Sequence, residues 1–168
     1  MYEHILFPTD GSTGAEAALA HARTLAETHD ATLHIMTVID TSSPHIGMTS
    51  AGPEGATTGM IAEEHDASEP GMVGEEHDVE SSLLERSQAV VDAAADEVEG
   101  VDTVTAVERG APHSAILDYA DENDVDLIVM GTHGRTGVER YLLGSVAEKV
   151  VRTSDVPVLT VRLGEEDS

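Results

Sequence analysis

The chain has 168 residues, 40% of them hydrophobic, with 33 acidic side chains against eight basic ones and a formal net charge of −25. That length is most naturally one domain with a core of its own, and a surface so acidic repels nucleic-acid phosphates and anionic membranes, which excludes both as primary partners. With no cysteine, one Phe, three Tyr and no Trp, the chain forms no disulfide or thiolate site and offers few platforms for stacking single-stranded bases.

His4-Ile5-Leu6-Phe7, closed by Pro8, is a short apolar run that suits a buried strand. Asp10-Gly11-Ser12 then supplies a turn and an N-cap. Ala15, Ala18, Leu19, Ala22, Leu25 and Ala26 follow at helical spacing. His29-Asp30 ends that helix, and residues 32–39 read as a second strand. From Asp40 to about Asp78 the composition changes to Gly, Pro, Ser, Thr, Glu and Met without a period, which predicts a long acidic loop at about 40–78. It holds an internal repeat, Gly59-Met60-Ile61-Ala62-Glu63-Glu64-His65-Asp66-Ala67 against Gly71-Met72-Val73-Gly74-Glu75-Glu76-His77-Asp78-Val79.

Leu83, Leu84, Val90, Val91, Ala94, Ala95 and Val98 predict an amphipathic helix of about five turns. Val101 to Val107 predicts a third strand, and Gly110-Ala111-Pro112 opens a helix carrying Ile116, Leu117 and Ala120. Val125-Asp126-Leu127-Ile128-Val129-Met130 reads as a buried fourth strand. It runs into Gly131-Thr132-His133-Gly134 and, after nine residues, Gly144-Ser145. Leu143, Val146, Ala147, Val150 and Val151 there share one helical face. Val158-Leu159-Thr160-Val161, introduced by Asp155-Val156-Pro157, is the last strand. The alternation predicts a single α/β domain, an open parallel sheet with helices on both faces.

In such a sheet a ligand sits beyond the carboxyl ends of the strands, where the strand order reverses. If the first and fourth strands are neighbours, Pro8-Thr9-Asp10-Gly11 and the segment from Gly131 to Gly144 converge there. Strand, glycine-punctuated loop and helix start bring backbone N–H groups to a phosphate, and glycine lets the backbone approach it. Asp10 is a candidate for a ribose hydroxyl or adenine edge, or else a helix cap. Gly131 and Gly134 are candidates for the phosphate approach, or else ordinary turn glycines. Ser145 offers a hydroxyl to phosphate or to a divalent cation, Arg135 a clamp, and His133 a place in the pocket wall. The pattern is neither a P-loop, since the only lysine is Lys149 inside a helix, nor a Gly-x-Gly-x-x-Gly fingerprint. The Glu-Glu-His-Asp units could ligate a metal, but a solvated loop is the plainer reading. No nucleophile elbow or carboxylate pair marks a catalytic residue.

At these residues the chain resembles the universal stress protein family. Gly131-x-x-Gly134, nine residues, then Gly144-Ser145 is similar to that family's ATP-binding signature. Pro8-Thr9-Asp10-Gly11-Ser12 resembles its opening, and Val156-Pro157-Val158-Leu159 its last strand. The likeness covers roughly residues 1–39 and 83–161 and departs from the family in the acidic repeat. It implies a five-stranded flavodoxin-like or adenine nucleotide alpha-hydrolase-like fold, of strand order 3-2-1-4-5, and a homodimer paired through the last strand, about residues 156–161. It also implies that Asp10 and Val38 contact adenosine, with Pro8 and Thr9 on the same wall. Met130, Gly131, Gly134 and Arg135 would wrap ribose and phosphates, and Gly144, Ser145 and Val146 would close on the phosphate tail.

The domain is expected over residues 1–163, with an acidic tail at 164–168. The resemblance implies a nucleotide-dependent stress-response switch that binds ATP or another adenine nucleotide and hydrolyses it slowly at most. Rival expectations are a nucleotide hydrolase or adenylyl-transfer enzyme on the same fold, and a nucleotide-free interaction module using the acidic loop. ATP entering so acidic a protein needs Mg²⁺, Mn²⁺ or high salt to offset repulsion. One lysine, seven arginines and 33 carboxylates read as adaptation to a salt-saturated cytoplasm, since in molar salt the screening length falls to about 3 Å. No apolar run approaches the roughly 20 residues that span a bilayer, and the first residues lack the regions of a secretory signal. A soluble, cytoplasmic protein is expected.

Overall fold

The computed structural model describes residues 1–42, 73–132 and 143–162. Its elements in chain order are β1 (His4–Pro8), α1 (Thr13–His29), β2 (Thr32–Asp40), α2 (Val73–Asp96), β3 (Thr103–Gly110), α3 (Pro112–Glu122), β4 (Leu127–Gly131), α4 (Ser145–Thr153) and β5 (Val158–Val161). The strands form one five-stranded sheet of order β3-β2-β1-β4-β5 with every pairing parallel. The chain order reverses between β1 and β4, the order 3-2-1-4-5 that the family resemblance implies.

Successive strand residues point to opposite faces, so each central strand feeds two cores. Ile5 and Phe7 of β1, Leu33 and Ile35 of β2, and Leu127 and Val129 of β4 pack with Ala15, Ala18, Leu19, Ala22 and Ala26 of α1 and Val91 of α2. Leu6, Met36, Ile128 and Met130 face the other way, against Ile116, Tyr119 and Ala120 of α3 and Ala147 and Val150 of α4. Alanines along α1 bring its axis close to the sheet. The helix ends at Asp30, whose left-handed backbone (φ 56°) turns its N–H back to the Ala26 carbonyl. α3 starts with Pro112, where a missing N–H costs nothing.

Two elements differ from the sequence pattern. α2 begins at Val73, so the second Glu-Glu-His-Asp unit lies in helix rather than loop; the first lies outside the described residues. Leu83 and Leu84 are 38% and 43% exposed rather than core, whereas Val91 is fully buried. The reason is length: 24 residues of helix run about 36 Å, and the eight of β3 only about 26 Å. The first turns of α2 therefore run past the packed region, and the ion pair from Arg109 to Glu80 ties them to the end of β3. β3 itself occupies Thr103–Gly110, later than expected, because β2 pairs with it as far as Asp40↔Gly110. An edge strand tolerates Glu108 and Arg109 in the ladder because one side meets water. Among the described residues no helix is long and apolar enough to cross a membrane.

Candidate functional site

A cleft of about 620 Å³ opens at the carboxyl ends of β1, β2 and β4. Its wall on the β1 side is set by backbone. The Thr9 N–H donates to the Met36 carbonyl (2.8 Å), which prolongs the β1–β2 ladder. The Gly11 N–H donates to Thr9 Oγ1 (3.1 Å), and the Ser12 N–H to Asp10 Oδ1 (2.9 Å). Asp10 therefore braces the turn before α1 instead of capping the helix itself. Ser12 holds the N-cap position with extended backbone but makes no side-chain cap, and among the described residues its buried hydroxyl has no partner.

Opposite, β4 ends at Gly131. A Cβ there would lie 2.8 Å from the Gly14 carbonyl oxygen in the first turn of α1, so packing alone demands glycine. Thr132 follows, buried, with its N–H on the Val161 carbonyl (3.0 Å). The Gly144 N–H donates to the Thr132 carbonyl (2.6 Å). Gly144 is the N-cap of α4 and has no side chain to occupy the first-turn N–H groups. α3 begins beside the same cleft with Ala111 as an equally uncapped N-cap, Pro112 and Ile116 reaching the wall. Amide donors at helix starts attract anions.

Pro8, Thr9, Asp10, Val38, Met130, Gly131, Gly144, Ser145 and Val146 all line this one cleft. His133, Gly134 and Arg135 lie outside the described residues. Further lining residues that the sequence reading did not single out for the site include Met36, Thr37, Asp40, Pro112, Ile116 and Thr132. Met36 and Thr37 belong to β2, level with the end of β1 at Pro8, a place that the strand register alone reveals. Pro112 and Ile116 become neighbours of the site only once the strand order is known. Two carboxylates, Asp10 and Asp40, stand in the described wall and no cation does. The described wall thus offers apolar contact, hydroxyls and backbone donors. Among the described residues no group of three or more His, Asp and Glu is placed to hold a metal ion.

The sequence profile of the universal stress protein family matches residues 1–162. Universal stress protein MJ0531 of Methanocaldococcus jannaschii is 35% identical over 162 residues, covering 96% of this chain and 83% of that one. Universal stress protein MJ0577 of the same organism is 32% identical, covering 96% of each. The solved structure of MJ0577 superposes with a TM-score of 0.74 over 99% of both chains, at 28% identity. A universal stress protein crystallised in complex with cAMP has the same fold, with a TM-score of 0.55 at 23% identity over 96% of this chain and 97% of that one.

Proposed function

This chain belongs to the universal stress protein family, and from that premise we propose that it is a stress-response switch that binds ATP in the cleft between β1 and β4. The observation that carries the reading is the convergence of nine motif residues, Asp10 and Val38 to Gly144-Ser145-Val146 among them, on one cleft beside the uncapped starts of α3 and α4. Adenosine lies along Asp10, Thr9, Pro8 and Val38. The phosphates meet the Val146 amide and the Ser145 hydroxyl, beside Gly131 and Gly144, which have no side chain to hold them away; the family motif assigns Gly134, Arg135 and His133, outside the described residues, to the same ligand. A relative of the same fold holds cAMP, which supports an adenine nucleotide as the ligand class.

With a net charge of −25 opposing an anionic ligand, the nucleotide brings Mg²⁺ or Mn²⁺ with it. The domain spans residues 1–163, and turnover is slow at most. The protein works in the cytoplasm of a salt-adapted cell as a homodimer joined along β5, an edge strand on which Leu159 stays 36% exposed.

The test is the nucleotide content and native mass of protein purified in molar KCl with Mg²⁺. Near-stoichiometric ATP released from a dimer is the expected result, and Ser145→Ala should then bind ATP roughly tenfold more weakly, the usual worth of a hydrogen bond to a charged group. Released ADP or AMP would move the reading towards hydrolysis. Empty protein that takes up no added ATP would overturn it.

A further inference from the structure

At the end of the sheet away from the cleft, one polar line crosses the otherwise apolar α3 face. His4 Nδ1 of β1 lies 3.2 Å from His34 Nε2 of β2, and His34 Nδ1 lies 2.9 Å from the Tyr119 hydroxyl of α3. His34 and Tyr119 are only 6% and 8% exposed, and His4 is half-buried. Successive rings meet edge to face, with centroids 5.3 and 5.7 Å apart. One step separates the line from the cleft: Met36, the next residue on the His34 face of β2, and Ile116, one helical turn before Tyr119, both belong to the cleft wall. We propose that His4, His34 and Tyr119 form an acid-released clasp that positions α3 against β2, and with them the cleft wall; its bearing on ligand affinity rests on the nucleotide reading above.

Proton counting gives the clasp its threshold. A neutral imidazole has one N–H and one acceptor nitrogen, and a phenol both donates and accepts. With both rings neutral, the line is satisfied in either direction. With one added proton it still holds: His34 donates to the Tyr119 oxygen and to His4 Nδ1. With two, His4 Nδ1–H and His34 Nε2–H face each other, two donors and two positive charges at a spacing where one bond had been. The contact must then open.

Charged groups approach the line from each side. Asp126, ahead of β4, accepts the N–H groups of Glu3 and His4 and lies beside the His4 ring and the chain's N-terminal amine. Glu108 of β3 lies beside Tyr119. Burial, then the neighbouring His4, holds the His34 imidazole below its ordinary value, and burial, then Glu108, holds the Tyr119 phenol above its own. A histidine depressed in the fold stabilises it fully above its unfolded value of about 6.5. That stability is lost as pH falls from there towards the folded value.

The experiment compares the full chain with His4→Gln, which keeps a hydrogen-bonding group beside His34 but takes up no proton. Ligand-free protein in molar KCl is followed from about pH 7.5 to 5, the histidine range, by melting temperature and by the amide NMR shifts of Met36 and Ile116. The wild type should lose more melting temperature than His4→Gln, and its Met36 and Ile116 amides should shift where those of the variant stay. Wild-type ATP affinity should fall about fivefold or more beyond any change in the variant, a modest coupling. His4→Asn, a shorter amide that likewise takes up no proton, should give a pH profile as shallow as that of His4→Gln and covers the case in which the latter folds poorly.

Parallel melting profiles in wild type and variants overturn the clasp. Divergent melting with unmoved Met36 and Ile116 amides overturns its link to the cleft. Divergent melting and moving amides, without ATP binding at any pH, support the clasp and sink the nucleotide reading instead.

Discussion

Gly131 shows how one residue serves packing and site together. Its missing side chain lets the end of β4 close on the Gly14 carbonyl, and the same residue forms the cleft floor. Gly131→Ala puts a methyl carbon 2.8 Å from that oxygen, so β4 and α1 must part. A loss of about 1–3 kcal/mol is expected, the usual cost of overpacking, seen as a lower urea midpoint with an unchanged slope. Full stability in this variant would show that α1 gives way without strain. Asp10, Gly131 and Ser145 were legible as neighbours in one cleft because glycine, a carboxylate and a hydroxyl stand where strands give way to helices. What was not legible is which backbone groups those atoms meet. No pattern says that Asp10 Oδ1 is taken by Ser12 N–H, or that Gly131 answers to Gly14. His34 looked like one more residue of an apolar strand, because its partners come from positions 4 and 119.

α2 divides into two halves of opposite character, though its apolar residues recur throughout. Val91 is fully buried beneath it, while Leu84 remains 43% exposed. Val91→Ala should cost about 2 kcal/mol through lost burial and a residual cavity, whereas Leu84→Gln should stay within about 0.5 kcal/mol. Urea denaturation of the two variants separates them, and equal losses would mean that the first turns of α2 are covered in solution. Helical periodicity identified the helix and its face, since it records which side is apolar. It carries no information on how far the neighbouring sheet extends, so it could not tell Leu84 from Val91. The same limit explains β3: Glu108 and Arg109 join the strand because β2 offers partners there, a fact that belongs to another segment of the chain.

The parallel sheet was the most legible feature, because alternation of strand and helix leaves few other ways to fold; the order of its strands came from the family resemblance. Charge acts on the molecule as a whole. With a net charge of −25, self-repulsion opposes the compact state and salt screens it. The melting temperature should therefore climb steeply between low salt and molar KCl, and more steeply than for a near-neutral domain of this size. A flat response would dissociate the acidic composition from salt adaptation.

The sheet also has two different ends, β3 on one side and β5 on the other. Joining like to like across a two-fold axis consumes both copies of one edge and stops. Joining unlike edges leaves a fresh acceptor after every addition and grows a filament. Which of these a solution of the protein does is thus decided by a contest between the four residues of β5 and the eight of β3. The overhanging start of α2, pinned by Glu80 to Arg109 on β3, weighs in that contest on the side of closure.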